Sequence, residues 1–184
     1  MALLNTLKRR SFSLDFNGLI DSASKNKILL HVLRVLNVQE PLRESQELNM
    51  QRTIEIIRAL SRLLKGYDCT LFKLIKPVSY VPSDVDLLIN ADQLKEIVVL
   101  GYEVAVTDPY CITLTKGDSI IDLYVHLSLG GVVFVNGQEL LEHVTIKDFS
   151  GGEIKSLENY AEAIAAVFVL LAIISTNWRL KRRG

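Results

Sequence analysis

Residues 83–90 read Ser83-Asp84-Val85-Asp86-Leu87-Leu88-Ile89-Asn90. The run from Asp84 to Asn90 is apolar enough for a strand, and side chains on a strand alternate faces with a period of two. Asp84 and Asp86 therefore point the same way, and Val85, Leu87 and Ile89 point the other way, into a core. Two adjacent carboxylates repel each other, so one tends to stay protonated unless a cation lies between them. A divalent ion is the usual remedy, and Mg2+ prefers hard oxygen ligands while keeping waters for substrate phosphates.

Further along, Ser119 to Leu127 reads as another strand. Asp122, Tyr124 and His126 share one of its faces, and Ile121, Leu123 and Val125 the other. If this strand pairs beside Asp84–Asn90, Asp122 reaches the same ions. Three carboxylates can hold two metals roughly 3.5–4 Å apart. His126 lies two pleats from Asp122, about 13 Å by strand rise, too far to share one ion with it, and is expected to be structural or at the surface, substrate contact being the alternative.

The segments around these acids predict an α+β fold, with a small mixed sheet and flanking helices. Apolar residues recur at helical spacing in Asp21–Leu36, and again in Arg43–Lys65, where Met50, Ile54, Ile57, Leu60 and Leu64 form one stripe. Gly66 suits a helix C-cap. Cys69–Ile75 reads as a strand and Lys76–Ser83 as a loop. Ala91–Leu100 reads as a short helix and Tyr102–Thr107 as a strand. Tyr110–Thr115 and Ser119–Leu127 form a hairpin around Lys116-Gly117-Asp118. A short strand, Val132–Val135, precedes a turn at Asn136-Gly137 and a short helix. A long helix is expected from Ser156 to about Asn177, with Leu157, Ala161, Ile164, Val167, Phe168 and Leu171 inward. The expected organisation is a helical region over 1–66, an α+β core over 67–150, and a C-terminal helix with a basic tail over 151–184.

With 49% hydrophobic and 23% charged residues among 184, the chain can bury a sizeable core and is not of the disordered class. Lys+Arg and Asp+Glu are each 21, so the totals advertise no large nucleic-acid surface. The basic cluster Arg179–Arg183 reads as a solvated tail, with contact to RNA or lipid headgroups as the other option. Cys69 and Cys111 lack the spacing of a zinc site. They read as small hydrophobes in a reducing cytoplasm, a cross-strand disulfide being the alternative. The first ten residues put their charge after a short apolar run, the wrong order for secretion. The most apolar stretch, Ala163–Ile174, is shorter than the ~20 residues a membrane span needs, so a core helix is expected there rather than an anchor. No P-loop, Rossmann fingerprint or Gly-x-Ser-x-Gly occurs.

At Ser83-Asp84-Val85-Asp86-Leu87-Leu88-Ile89 and Ile120-Ile121-Asp122-Leu123-Tyr124-Val125-His126 the chain resembles the nucleotidyltransferase superfamily with the polymerase-β-like catalytic core. In that superfamily a small-residue turn leads into Asp-h-Asp-h, and a third Asp sits on a later strand. The resemblance is closest to an uncharacterised branch in which Lys-Gly precedes a longer turn. Leu71-Phe72-Lys73 and Gly101-Tyr102 also fit it, and about residues 66–137 are covered. The resemblance implies a Mg2+-dependent nucleotidyltransferase moving a nucleoside monophosphate from a nucleoside triphosphate to an acceptor hydroxyl. Asp84, Asp86 and Asp122 would bind two Mg2+ ions, and Lys73, Ser79 and Ser83, with Lys76 as a further cation, would contact phosphates. The acceptor could be a protein side chain, a small molecule or an RNA end. The chain departs from the pattern in having Lys73-Leu74 in place of Lys-Gly, no glycine between Gly66 and Asp84, and Asp-Leu-Tyr where the branch has Asp-Leu-His. The glycine-free turn supports the alternative of a catalytically decayed binding protein whose N-terminal 65 residues form a surface for a second copy or another partner.

Overall fold

The computed structural model describes residues 16–38, 41–74, 78–98, 101–117 and 119–168. The chain divides into two compact units, one built from the chain up to Leu48 together with Val78–Val81, the other from Asn49–Pro77 and Pro82 onward.

In the first unit the stretch expected as one helix is two. Helix α1 spans Phe16–Lys25 and α2 spans Leu29–Val35. The break is a Schellman turn: Ile28 N–H donates to Ala23 O, Lys27 N–H donates to Ser24 O, and Lys27 takes the left-handed conformation at φ 56°. α2 ends the same way. Asn37 sits at φ 49° and Val38 N–H reaches back to Leu33 O. The two helices close on Ala23, Leu29 and Leu33. Helix α3 spans Pro41–Leu63. Its first residue is a proline, whose missing N–H costs nothing at that position. Within this unit Glu47 of α3 accepts from Arg34 Nε at 2.8 Å and from Arg34 Nη2 at 2.6 Å.

The second unit is a seven-stranded mixed sheet covered on both faces. Its strands are β1 (Cys69–Phe72), β2 (Val85–Ile89), β3 (Glu103–Asp108), β4 (Cys111–Lys116), β5 (Ser119–Tyr124), β8 (Val144–Asp148) and β9 (Glu153–Leu157), in the order β3-β4-β5-β2-β1-β9-β8. β2 lies in the middle with all five residues buried, as a strand covered on both faces requires. Its pairing with β5 is parallel, and the crossover runs through a 3-10 turn (Ala91–Gln93), helix α4 (Leu94–Val98) and the β3–β4 hairpin.

Ile57, Leu60 and Leu64 cover the sheet face made by Leu71, Val85, Leu87, Ile89, Ile121 and Leu123. On the opposite face, Phe72 and Leu88 pack with Leu127, Leu140, Leu157, Ala161, Ala165 and Phe168. The last three belong to a helix, α6, whose described turns are 159–168.

Several boundaries differ from expectation. β1 stops at Phe72 because Lys73 takes φ 62°, which no strand accommodates. Asp84 lies in the bend just before β2. Ser119–Leu127 is not one strand: the pairing with β4 ends at Tyr124, and β6 (Leu127–Leu129) joins β7 (Val132–Val135) in a separate two-stranded ribbon. β8 and β9, not expected from the sequence, form a hairpin turned at Ser150 (φ 53°) and Gly151 (φ 78°). β9 then pairs in parallel with β1, so Ser156 and Leu157 are strand residues, not a helix start. On α6, Ala161, Ala165 and Phe168 are buried, whereas Ile164 and Val167, expected inward, are exposed. Leu171, the C-terminal half of Ala163–Ile174 and the Arg179–Arg183 tail lie outside the described residues. Among the described residues no helix is long and apolar enough to cross a membrane. Cys69 and Cys111 are free thiols.

Helix α5 (Gly137–Leu141) begins where it must be glycine. A Cβ on Gly137 would stand 1.9 Å from Val125 O and 2.9 Å from Leu88 Cδ1. His126, expected as structural, accepts the Gly137 N–H through Nδ1 at 3.0 Å. Gly137→Ala therefore forces backbone apart against the central strand. It is expected to destabilise the protein by about 2–4 kcal/mol in urea unfolding.

The Arg34 guanidinium holds the Glu47 carboxyl below the usual glutamate range. A folded-state value lowered in this way stabilises above the unfolded value and is lost as pH falls through the folded one. Both side chains are partly exposed, so Glu47→Gln should cost only about 0.5 kcal/mol at pH 7. Unfolding curves of variant and parent should converge once the pH drops below the ordinary glutamate range.

Candidate functional site

The parallel register of β2 and β5 places Asp86 directly opposite Asp122. The same row continues on both sides, to Phe72 on β1 and Thr113 on β4. One line across four strands thus reads Phe72, Asp86, Asp122, Thr113, on the sheet face opposite Leu71, Leu87 and Leu123. The next row reads Thr70, Leu88, Tyr124, Cys111. Asp84, in the bend that feeds β2, is near enough to raise the proton affinity of Asp86.

Each acid has a partner of its own. Thr113 Oγ1 donates to Asp122 Oδ1 at 2.7 Å, and Ser83 Oγ donates to Asp84 Oδ1 at 2.8 Å. Asp86 is 8% exposed, and the Lys73 ammonium pairs with its Oδ1. That ammonium also stands 4.9 Å from the centroid of the Phe72 ring and 5.1 Å from that of Tyr124, both within cation–π range.

Burial pushes the Asp86 carboxyl above the ordinary aspartate range, the Lys73 charge pulls it back, and Asp84 and Asp122 push it further up. The Tyr124 phenol is driven up strongly, by burial first and then by Asp86. The Cys111 thiol is pushed up to about 12 by burial and by Asp122.

Of the residues singled out in the sequence, Asp84, Asp86, Asp122 and Lys73 converge, and Ser83 supports Asp84. Ser79 belongs to the other unit, where its Oγ accepts from Arg34 Nη1 at 2.9 Å. Lys76 lies outside the described residues. Three contributors were given no site role from the sequence. Tyr124 was legible, because it shares the period-two face of Asp122. Thr113 depends on cross-strand register, and Glu162, whose carboxylate accepts from the Lys73 N–H, on the docking of α6; neither leaves a local pattern.

The donor set is of the hard-oxygen kind that Mg2+ takes, and two of the three acids face each other across one strand pair. In chemistry these residues fit a divalent ion. Among the described residues, however, no three His, Cys, Asp or Glu side chains are gathered into a ready metal site. Lys73 supplies a positive charge at Asp86. The reverse face of the sheet is chemically different. A cavity of about 530 Å3 there is lined by Leu71, Leu87 and Ile154 with Arg58, Arg62 and Lys155, and contains none of these acids.

No family model matches the chain, and no curated protein matches it. A crystal structure of a candidate nucleotidyltransferase from Thermotoga maritima does match, with a TM-score of 0.52 at 13% identity, over 72% of this chain and 92% of that one. The fold is therefore α+β and nucleotidyltransferase-like.

The Lys73–Asp86 pair is mostly shielded from solvent, at 21% and 11% side-chain exposure. Removing one partner leaves the other charge uncompensated. Lys73→Met should destabilise by about 3 kcal/mol, and adding Asp86→Asn should recover most of that loss. A double-mutant cycle in chemical denaturation measures both.

Proposed function

We propose that this chain is a nucleotidyltransferase that transfers a nucleoside monophosphate from a nucleoside triphosphate to an acceptor hydroxyl, with divalent-ion assistance. The observation that carries the proposal is the single row in which Asp86 and Asp122 oppose each other on parallel strands, with Asp84 at the entry to β2. The nucleotidyltransferase-like fold supports it.

Asp84, Asp86 and Asp122 would hold Mg2+, which when bound lowers the pKa of a coordinated hydroxyl and neutralises triphosphate charge. The acceptor oxygen attacks the α-phosphorus, a new P–O bond forms, and the bond to the leaving pyrophosphate breaks. Asp122, which accepts from Thr113 Oγ1, would draw the hydroxyl proton. The Lys73 ammonium pairs with the Asp86 carboxylate. With triphosphate bound it would turn to phosphate oxygens, leaving Asp86 to the ion. The acceptor would be a protein side chain, a small molecule or an RNA end.

A second reading has its own observation. Lys73 already satisfies Asp86, and no ready metal site exists among the described residues. On this reading the fold is retained for binding without transfer, and the ion pair has taken over the ion's structural work.

Isothermal titration with ATP, with and without Mg2+, separates the two. The transferase reading expects Mg2+-dependent binding, reduced at least about tenfold in Asp86→Asn and in Asp122→Asn, since each removes a charged ligand. A folded protein with no Mg2+-dependent binding would establish the second reading.

A further inference from the structure

We propose that Glu162 is a positioning residue that sets where the Lys73 ammonium stands in the acid cluster. Lys73 takes φ 62°, a conformation that lysine rarely adopts and glycine adopts readily. What holds it there comes from the far end of the chain. The backbone N–H of Lys73 donates to both carboxylate oxygens of Glu162 on α6, at 3.1 and 3.0 Å. Ser156 Oγ, on β9, donates to the same carboxylate at 3.2 Å.

A charge-assisted bond of this kind is stronger than a neutral one, and it is made to the one backbone donor that the left-handed residue turns out of the strand ladder. The left-handed backbone fixes the direction of the Cα–Cβ bond. From there the lysine side chain passes Phe72 and Tyr124 and ends on Asp86. Glu162 touches no acid of the row. It acts through Lys73.

The contact is tested without nucleotide by competitive lysine acetylation of the full chain, read by mass spectrometry. In Glu162→Gln the Lys73 rate should rise about fivefold as the ammonium leaves Asp86, with Lys25 and Lys95 unchanged. Ser156→Ala, a milder change, should give about a twofold rise at Lys73 alone. An unchanged Lys73 rate, or a uniform rise at all three lysines, would sink the proposal.

A second arm rests on the transferase reading. Glu162→Gln should weaken Mg2+·ATP binding about tenfold in the parent and have no effect in a Lys73→Ala background. A loss that persists in that background overturns the positioning role. Failure of the parent to bind Mg2+·ATP would count against the transferase reading, while the acetylation result still decides Glu162.

Discussion

The constraint on which this structure turns is electrostatic. Parallel pairing of β2 with β5 brings Asp86 and Asp122 face to face in the middle of a buried sheet, and Asp84 adds a third charge at the strand entrance. A fold gains nothing in stability from such a row. Burial and mutual repulsion both raise the Asp86 carboxyl, so the arrangement needs a positive partner to keep that acid ionised. Lys73 is that partner, and its ammonium is boxed by two aromatic faces as well as by the carboxylate. The local rule that buried charges are avoided is broken here, where chemistry would need it broken.

The acids were legible because their pattern is local. Asp84-Val85-Asp86 on an apolar run fixes which side chains share a face, and Asp122 repeats the pattern on Ile120–Val125. Their meeting required only that two strands be neighbours, which the β2–β5 register supplies. The long stripe on α3 was legible for the same reason: Ile57, Leu60 and Leu64 repeat at helical spacing and cover the sheet. What could not be read were features set by distant partners. Lys27 in its Schellman turn looks like any polar residue in a helix. β8 and β9 are short, and their place depends on β1 offering an edge. On α6, alanines rather than Ile164 face the core, because close packing against the sheet selects small side chains over apolar ones.

Lys73 illustrates how a sharp turn can be held without glycine. Judged by sequence alone, Lys73-Leu74 lacks the residue that makes a sharp turn easy. The structure makes the turn anyway, one residue earlier, and holds it with two hydrogen bonds from the Lys73 amide to Glu162. Glycine would have supplied the backbone conformation without a side chain. Lysine supplies both the conformation and a charge, but only with an anchoring carboxylate. The absence of glycine from this turn therefore does not by itself count against a working site. A strained residue at a cluster of charges, held by a dedicated acid, is costly to maintain unless the position of its side chain matters.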